Sequence, residues 1–285
     1  MSTCTSTECF KIDQSRRSPE AEIAVLGGSG FYRLLDEVEY VHVETPYGRP
    51  SDDVAMGRLG ERYVAFIPRH GREHTLPPAA INYRANLWAL HSLGVKRVIA
   101  PTAAGSLQSH VKPGDLVICD QFVDRTAGRQ DTYFDKGPKV AHVSTAHPYC
   151  PALRGLATIV ATERGLGVHD TGTVVVIQGP RFSTLAESRW FSSLGWEVVN
   201  MTQYPEVSLA RELEMCYLNI SLITDYDAGL EGNPDVQPVS ADEVVAQFAT
   251  NIARVRDLIL DLIPRIPDAR ECLCATAMKG AVVHG

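Results

Sequence analysis

Two carboxylates, Asp225 and Asp227, follow directly on a long apolar run, Met215 to Ile223. Such a run predicts a buried strand, and open α/β sheets bind their ligands at the carboxyl ends of their strands. The alternative is a pair of acids that only form the turn after the strand. Their position favours a pair of ligand-binding carboxylates.

Four further segments follow predicted strand ends and carry groups suited to an anion or a sugar. In the first, 27–30, glycines allow backbone amides to approach a ligand, and the Ser29 hydroxyl can donate to an oxyanion. A structural turn is the alternative. Because position 32 is Tyr32, the segment lacks the G-x-G-x-x-G pattern, which disfavours a dinucleotide site.

The other three segments add cationic and hydroxyl donors. In 68–74, Arg69 has the planar fork that matches phosphate and His70 can add a donor, the alternative being a solvated charged loop. Segment 101–106 offers the Thr102 hydroxyl and the accessible amide of Ala103. In 200–206, Thr202 is either a helix N-cap or an anion donor. Together these segments predict a phosphate pocket.

The elements that position these groups alternate along the chain. Strands are predicted at 23–26, 63–67, 97–100, 115–119, 173–177, 197–199 and 217–224, and helices at 82–93, 151–164, 184–194, 206–215 and 241–263. This alternation predicts one α/β domain with a mixed or mostly parallel sheet between helices, spanning 21–285 after a disordered tail, 1–20. Segment 124–148 is predicted to be a long surface excursion with a functional or subunit-contact role.

Composition excludes several classes of protein. The chain has 285 residues, of which 45% are hydrophobic and 21% charged, so it can bury a substantial core. A net charge of -7 argues against a nucleic-acid partner. Without an apolar run of the roughly 18 residues that a membrane helix requires, the sequence predicts no membrane association and a cytoplasmic location.

The seven cysteines are an odd number, which argues against a complete disulfide framework. Cys272 and Cys274 form a C-x-C pair near the C-terminus. The favoured interpretation is a pair of free surface or docking thiols, and a redox clip or a metal ligand pair is the alternative.

Taken in order, the motifs resemble the trimeric purine nucleoside phosphorylase family, and specifically its methylthioadenosine phosphorylase branch. The matching segments are 27–30, 45–48, 68–71, 82–86, 178–182, 200–202 and 224–227. The resemblance implies a mixed β-sheet (distorted barrel) surrounded by helices. It also implies a homotrimer or dimer of trimers, a nucleoside and inorganic phosphate as substrates, and no metal or organic cofactor.

The resemblance assigns a role to each motif. The phosphate site is expected at Ser29, Arg69, His70, Thr102, Ala103 and Thr202. Phe182 and Met201 are expected to contact base and ribose, and Asp225 and Asp227 to recognise the base. His74 is expected near the 5′ side of the sugar, and His142 is expected to reach it from a neighbouring subunit.

The chemistry implied by the family explains these residue types. Breaking an N-glycosidic bond builds positive charge on the ribose and negative charge on the purine. Held by preorganised donors, phosphate stabilises and then captures the sugar. Asp225 is the predicted general acid, with a pKa raised by burial and by Asp227, which accepts from the exocyclic amino group or tunes Asp225.

Substrate choice is predicted from the same resemblance. Two carboxylates favour adenine as the leaving base, because family members specific for 6-oxopurines have Asn at the first position. Ala241 and Val245 at the start of the last helix predict an apolar 5′ pocket, although their spacing also suits ordinary core, and Ser183 lies where substrate preference varies.

The expected reaction is phosphorolysis of S-methyl-5′-thioadenosine in purine and methionine salvage. A 6-oxopurine or broad-specificity purine nucleoside phosphorylase is the first alternative. A nucleoside-binding module without catalysis is the second.

Overall fold

This computed structural model describes residues 20–284 except 29, 32, 36, 233 and 235–240, and only the backbone of 241–249 and 284. The strands in these ranges are β1 (Ile23–Gly27), β2 (Glu39–Val41), β3 (Val54–Leu59), β4 (Arg62–Pro68), β5 (Arg97–Ser106), β6 (Leu116–Val117), β7 (Gln121–Arg125), β8 (Lys139–Ala141), β9 (Val168–His169), β10 (Thr173–Ile177), β11 (Val198–Asn200), β12 (Cys216–Tyr226) and β13 (Val282–His284). The α-helices are α1 (Tyr83–Ser92), α2 (Pro151–Glu163), α3 (Leu185–Ser193), α4 (Gln203–Glu212) and α5 (Ala241–Arg265).

One mixed sheet organises the molecule, in the order β2-β3-β4-β1-β5-β11-β10-β7, with β12, β6 and β9 branching from β5. The branch strand β5 is parallel to β1 at its start and to β12 along its length, whereas its last residues run antiparallel to β11. The predicted mixed sheet among helices is confirmed. Among the described strands no pairing closes the sheet, so the closure implied by a distorted barrel is not observed.

Helices cover both faces of this sheet. Leu90 of α1 and Val207 of α4 belong to one buried cluster, and Leu153 of α2 and Leu258 of α5 belong to another. Phe191 of α3 packs in a third, smaller cluster against β10 and β11. The sheet is therefore buried on both sides, which explains why its strands read as nearly continuous apolar runs.

Strand β12 crosses the centre of the core and separates two environments. Leu218, Ile220 and Leu222 face the cluster of α2 and α5. Because a strand alternates its side chains, the intervening Asn219 and Ser221 point to the other face, where both are fully buried. This polar stripe lies between α4 and the end of β5.

Two helices begin where the sequence predicts, each directly after a capping residue. The side chain of Asn82 accepts a hydrogen bond from the Ala85 amide at 3.1 Å and starts α1. Thr184 and Glu187 form a reciprocal capping box that starts α3. Both predicted helix starts are confirmed.

Two strands continue further than predicted. Strand β5 extends through Ser106, so segment 101–106 is strand rather than loop. Its small residues give no strand signal, and it is extended because β12 and β11 pair with it. Strand β12 extends through Tyr226, which places Asp225 within the strand and Asp227 just after it.

Other boundaries also differ from the prediction. The strand predicted at 115–119 is reduced to the two residues of β6, and the excursion 124–148 contains β8, which pairs with β13. The predicted tail lies outside the described residues up to position 19, so the domain boundary stays a prediction. Of the helices described, none combines the length and apolarity that a membrane crossing needs.

Candidate active site

A cavity of about 270 Å³ opens where the carboxyl-terminal ends of β5 and β12 meet β11. This volume lies near the lower end of small-molecule pockets. Loops after β1, β4 and β10 complete the walls. The predicted site residues that line the cavity are Arg69, His70, His74, Thr102, Ala103, Phe182, Ser183, Met201, Thr202, Asp225 and Asp227.

A β-bulge aims the acidic pair into this cavity. Ile223 pairs with Ala104 and Asp225 with Gly105, so Thr224 is an extra residue on β12. Bulges of this kind reorient the side chains that follow them. A Cβ on the partner residue Gly105 would be crowded by Val199 Cγ1 at 3.2 Å, and would lie in ordinary contact with Asp227 Cβ at 3.5 Å and Asp225 Oδ2 at 3.7 Å.

The two carboxyl groups differ in exposure and in hydrogen bonding. Asp225 is accessible from the open cavity, but the protein atoms crowded around its carboxyl group raise its pKa. The hydrogen bond from Thr224, at 2.5 Å, opposes this rise and the charge of Asp227 reinforces it. Asp227 is buried, and its Oδ2 has no hydrogen-bond partner within the described chain. The pair therefore presents a carboxyl group suited to hold a proton beside an unsatisfied acceptor.

Thr102 is oriented by a buried network of amides. The side-chain amides of Asn219 and Asn200 donate to Thr102 Oγ1 at 3.0 and 3.3 Å. Ser221 Oγ lies 3.2 Å away and donates its own proton to Asn219 Oδ1. With two donors directed at its oxygen, the Thr102 hydroxyl is left to donate, either to Ser221 or to a ligand.

Arg69 differs from the prediction in an important respect. Its guanidinium group is fully buried and donates through Nε and Nη2 to Oε1 and Oε2 of Glu206 at 2.5 and 3.0 Å. Burial lowers the pKa of Arg69, but the charge and hydrogen bonds of Glu206 outweigh burial and raise it overall. The fork expected to hold phosphate is thus occupied by a protein carboxylate.

A single guanidinium nitrogen, Nη1, remains on the cavity side. It makes a long contact of 3.4 Å to the Pro101 carbonyl and lies 3.0 Å from where a Cβ on Gly28 would be. The absence of a side chain at Gly28 therefore lets Nη1 pack close to its backbone. Glu206 occupies the fork expected to face phosphate, and the role of Arg69 in binding phosphate stays a prediction.

His70 is also redirected. Its Nδ1 lies 2.8 Å from the Leu76 carbonyl, which can only accept, so Nδ1 carries the proton. Burial lowers the pKa of His70 to about 4, which keeps the ring neutral. Nε2 is then an acceptor and not the additional donor that the sequence suggested. The ring stacks on His74 with centroids 4.4 Å apart.

Two of the remaining phosphate candidates, Thr202 and Ala103, line the cavity. Thr202 precedes α4 but its side chain makes no capping hydrogen bond, so the N-cap alternative is not observed. Ala103 lies in β5 rather than in a loop. Ser29 lies outside the described residues.

Apolar groups form the other wall. A Cβ on Gly179, which has φ of +62°, would lie 2.6 Å from Met201 Sδ, so glycine lets the thioether approach the backbone. Phe182 lines the same wall and is 79% exposed in the single chain. The buried Ser183 Oγ has no hydrogen-bond partner among the described residues. This wall offers a flat apolar surface with one free hydroxyl.

Besides Ser29, three predicted residues are not placed at this cavity. His142 is exposed, and its backbone amide donates to Ala281 next to the β8–β13 pair. It does not line the cavity within one chain, and its approach from a neighbouring subunit stays a prediction. Ala241 and Val245 begin α5, and their side chains lie outside the described part of the chain.

Sequence reasoning missed the residues that support the cavity from behind. Glu206 holds Arg69 and also accepts from the Tyr217 hydroxyl at 2.7 Å, and both side chains are buried. Asn219 and Ser221 lie within the apolar run 215–223, which is interpreted only as a buried strand. Their signal is the presence of two polar residues, spaced by two, in a strand that is otherwise apolar.

Comparisons with known proteins agree with this geometry. Residues 22–264 match the family model described as phosphorylase superfamily. The chain is 50% identical to a purine nucleoside phosphorylase of Streptomyces coelicolor, with 92% of this chain and 95% of the relative covered. It is 52% identical to an S-methyl-5′-thioadenosine phosphorylase of Pyrococcus horikoshii, with coverage of 90% and 98%.

A solved structure is similar as well. It is a variant of the adenosine/methylthioadenosine phosphorylase from Schistosoma mansoni in complex with methylthioadenosine. The TM-score is 0.82 at 36% identity, and 88% of this chain and 93% of that chain are covered. With the family model spanning most of its length and relatives half identical to it, this chain belongs to the phosphorylase superfamily.

Proposed function

We propose that this chain catalyses the reversible phosphorolysis of S-methyl-5′-thioadenosine, releasing adenine and S-methyl-5-thio-ribose 1-phosphate. The acidic pair carries the proposal. Asp225 has a raised pKa, and the neighbouring Asp227 has a buried oxygen without a donor. Adenine supplies the matching groups, since its N7 accepts a proton and its 6-amino group donates a hydrogen bond.

The pair acts on the leaving group. As the C1′–N9 bond breaks, its electrons move onto the purine, and a proton from Asp225 to N7 neutralises the developing charge. Asp227 accepts from the 6-amino group and, as a neighbouring negative charge, helps to keep Asp225 protonated. A 6-oxo group would instead present an oxygen to the carboxylate.

The opposite end of the cavity binds phosphate. Thr102, Thr202 and the Nη1 edge of Arg69 supply donors. His70 Nε2 is suited to accept from the P–OH of hydrogen phosphate, because Nδ1 already carries the ring proton. A phosphate oxygen then attacks C1′ as the glycosidic bond lengthens, so phosphate both stabilises and captures the cationic sugar.

The apolar wall positions the nucleoside between these ends. Met201 lies along the ribose, and Phe182 covers the base. The P. horikoshii relative is named for methylthioadenosine, and the S. mansoni variant was crystallised with it. We assign the methylthio group to the side of the cavity near His74 and the start of α5, where Ala241 and Val245 stay predicted contacts.

A second candidate is a purine nucleoside phosphorylase of different base preference. The S. coelicolor relative, at 50% identity, is named for purine nucleosides in general. The free Ser183 hydroxyl adds a donor that a 6-oxopurine would use. The two carboxylates favour the adenine nucleoside.

We also propose the setting in which the enzyme works. The high exposure of Phe182 in a single chain supports a homotrimer or dimer of trimers in which a neighbour covers the cavity mouth. No metal or organic cofactor takes part in the proposed reaction, and inorganic phosphate is the co-substrate. Free cysteines support a cytoplasmic location, where thiols stay reduced, and the products enter purine and methionine salvage.

The test is base release from methylthioadenosine, adenosine, inosine and methylthioinosine, each with and without phosphate. We expect phosphate-dependent adenine release that is fastest from methylthioadenosine. Asp225→Asn is expected to slow it by at least about 100-fold, the usual minimum for a general acid. Asp268→Asn, which changes an exposed carboxylate paired with Arg62, is the control.

Each contrary result is informative. Faster hypoxanthine release would establish the second candidate. Release without phosphate would make the protein a hydrolase, and an Asp225→Asn variant with normal turnover would remove the general-acid role.

A further inference from the structure

Four cysteines meet in the core at the end of β12 opposite the active site. Cys216 is the first residue of β12, and Cys150 immediately precedes α2. Cys272 and Cys274 flank and enter the 3-10 turn Leu273–Thr276. All four sulfurs lie within 4.8 Å of one another, and none of the four forms a disulfide. The C-x-C pair, expected as surface thiols, is thus largely buried: Cys274 is buried and Cys272 half-buried.

The spacing of the sulfurs fits a single ion at their centre. A tetrahedral ion with Zn–S distances of about 2.3 Å places its sulfurs about 3.8 Å apart. The Cys216 and Cys272 sulfurs are 3.4 Å apart, and the limit of 4.8 Å holds for every pair in the cluster. Mutual proximity of all four is the property of a tetrahedron, whereas two disulfides require closeness only within each pair.

The surroundings suit the charge of such a site. Four thiolates and one divalent cation carry a net charge of -2. The pocket beside Cys150, Cys216 and Cys272 is also lined by three arginines and one acid, so cations predominate; these are Arg97, Arg265, Arg270 and Glu271. Cys150 lies at the positive end of the α2 dipole, which favours a thiolate.

We propose that Cys150, Cys216, Cys272 and Cys274 form a closed, four-coordinate zinc site. Binding converts four thiols into four thiolate ligands and releases four protons, with no change of redox state. With four protein ligands the ion has no open position, so the site is structural. It ties the C-terminal segment to the start of β12 and to α2.

The site is separate from the proposed reaction. Asp225 lies nine positions after Cys216 along β12, which at about 3.3 Å per residue corresponds to roughly 30 Å. Zinc therefore acts on the fold and not on the bound nucleoside. The proposal does not depend on the substrate of the enzyme.

The experiment is metal analysis of the full chain, purified under reducing conditions and dialysed against metal-free buffer. We expect about one zinc per chain in the unaltered protein, because four ligands complete one tetrahedral site. The double variant Cys272→Ser/Cys274→Ser should fall to background. Cys9→Ser, which removes a thiol outside the described residues, should keep its zinc.

A second measurement does not depend on how the variant folds. Unaltered protein, stripped of zinc by a thiol-reactive mercurial, reduced and loaded with Co²⁺, should show the visible bands of tetrahedral cobalt and thiolate-to-cobalt charge transfer. Its thermal midpoint should fall when metal is removed and return when zinc is added.

Three results would overturn the proposal. The first is a background level of zinc, together with Cys150–Cys216 and Cys272–Cys274 disulfides found by peptide mapping without reduction. The second is a zinc content that is unchanged in the double variant. The third is a cobalt spectrum without thiolate-to-cobalt charge transfer.

Discussion

Replacing Glu206 by Gln tests whether the cavity rests on a dry ion pair. Both partners of the Arg69–Glu206 pair are fully buried, so the change leaves the guanidinium charge of Arg69 without its counter-ion. Breaking a buried pair in this way costs about 3–5 kcal/mol. At about 2–4 °C per kcal/mol for a domain of this size, the thermal midpoint should fall by about 6–20 °C.

Phosphate should partly reverse this loss. In the unaltered protein Glu206 already balances the charge of Arg69, whereas in the variant the Nη1 edge presents an uncompensated cation to the cavity. A ligand that binds only the folded state stabilises it by about 2.7 kcal/mol at 100 times its dissociation constant. We therefore expect a fixed phosphate concentration to raise the midpoint of the variant more than that of the unaltered protein.

The assay is urea and thermal unfolding of both proteins, with and without phosphate. Glu163→Gln is the matched control, since Glu163 also accepts two hydrogen bonds from one arginine, Arg265, at 2.5 and 3.2 Å. That pair is exposed, so its loss should leave stability unchanged within error. A Glu206→Gln variant destabilised by less than about 1 kcal/mol would contradict a pair buried away from water, because a solvent-accessible pair shows losses of that size. An equal phosphate response in both proteins would refute the role of Arg69 Nη1.

Three further predictions concern titration and shape. Asp227→Asn removes a charge that raises the pKa of Asp225, so the fall of kcat/KM at high pH should move to lower pH. A pH–rate profile measures this shift. A fall of kcat/KM at the same pH in both proteins would contradict the coupling of the two carboxyl groups. Gly179→Ala forces its Cβ against Met201 at a backbone φ of +62°, and we expect at least a tenfold rise in KM for the nucleoside, measured by initial rates. Burial lowers the pKa of His70 from 6.5 to about 4, so between these pH values the unfolded state binds a proton that the folded state does not. The free energy of unfolding should therefore fall as the pH drops from about 6.5 to 4. His70→Gln should flatten this part of the stability curve, and an unchanged slope would contradict a buried neutral ring.

The residues that line the cavity are largely visible in the sequence, because they follow apolar runs. Asp225, Thr102 and Met201 are found this way, and all three line the cavity. The rule works because strands that share a sheet bring their carboxyl ends together. It needs no knowledge of which strands are neighbours.

The partners of those groups are not visible in the same way. Glu206 lies 137 residues from Arg69 along the chain, and only the tertiary fold brings the two together. The tautomer of His70 depends on the backbone carbonyl of Leu76. Every residue has such a carbonyl, so the residue types do not reveal which one His70 contacts. Sequence patterns report which side chains are available for a site, and tertiary contacts decide which of their atoms remain free.

The bulge at Thr224 divides β12 into two independent parts. Before it, the strand obeys the alternation that the core demands, and a change of residue there disturbs the packing of two helical layers. After it, the orientation of the side chains is set locally. Residues 224–227, the end of β12 and the residue after it, can therefore be exchanged by selection or by design to change base preference while the core packing of the earlier part of the strand is left intact.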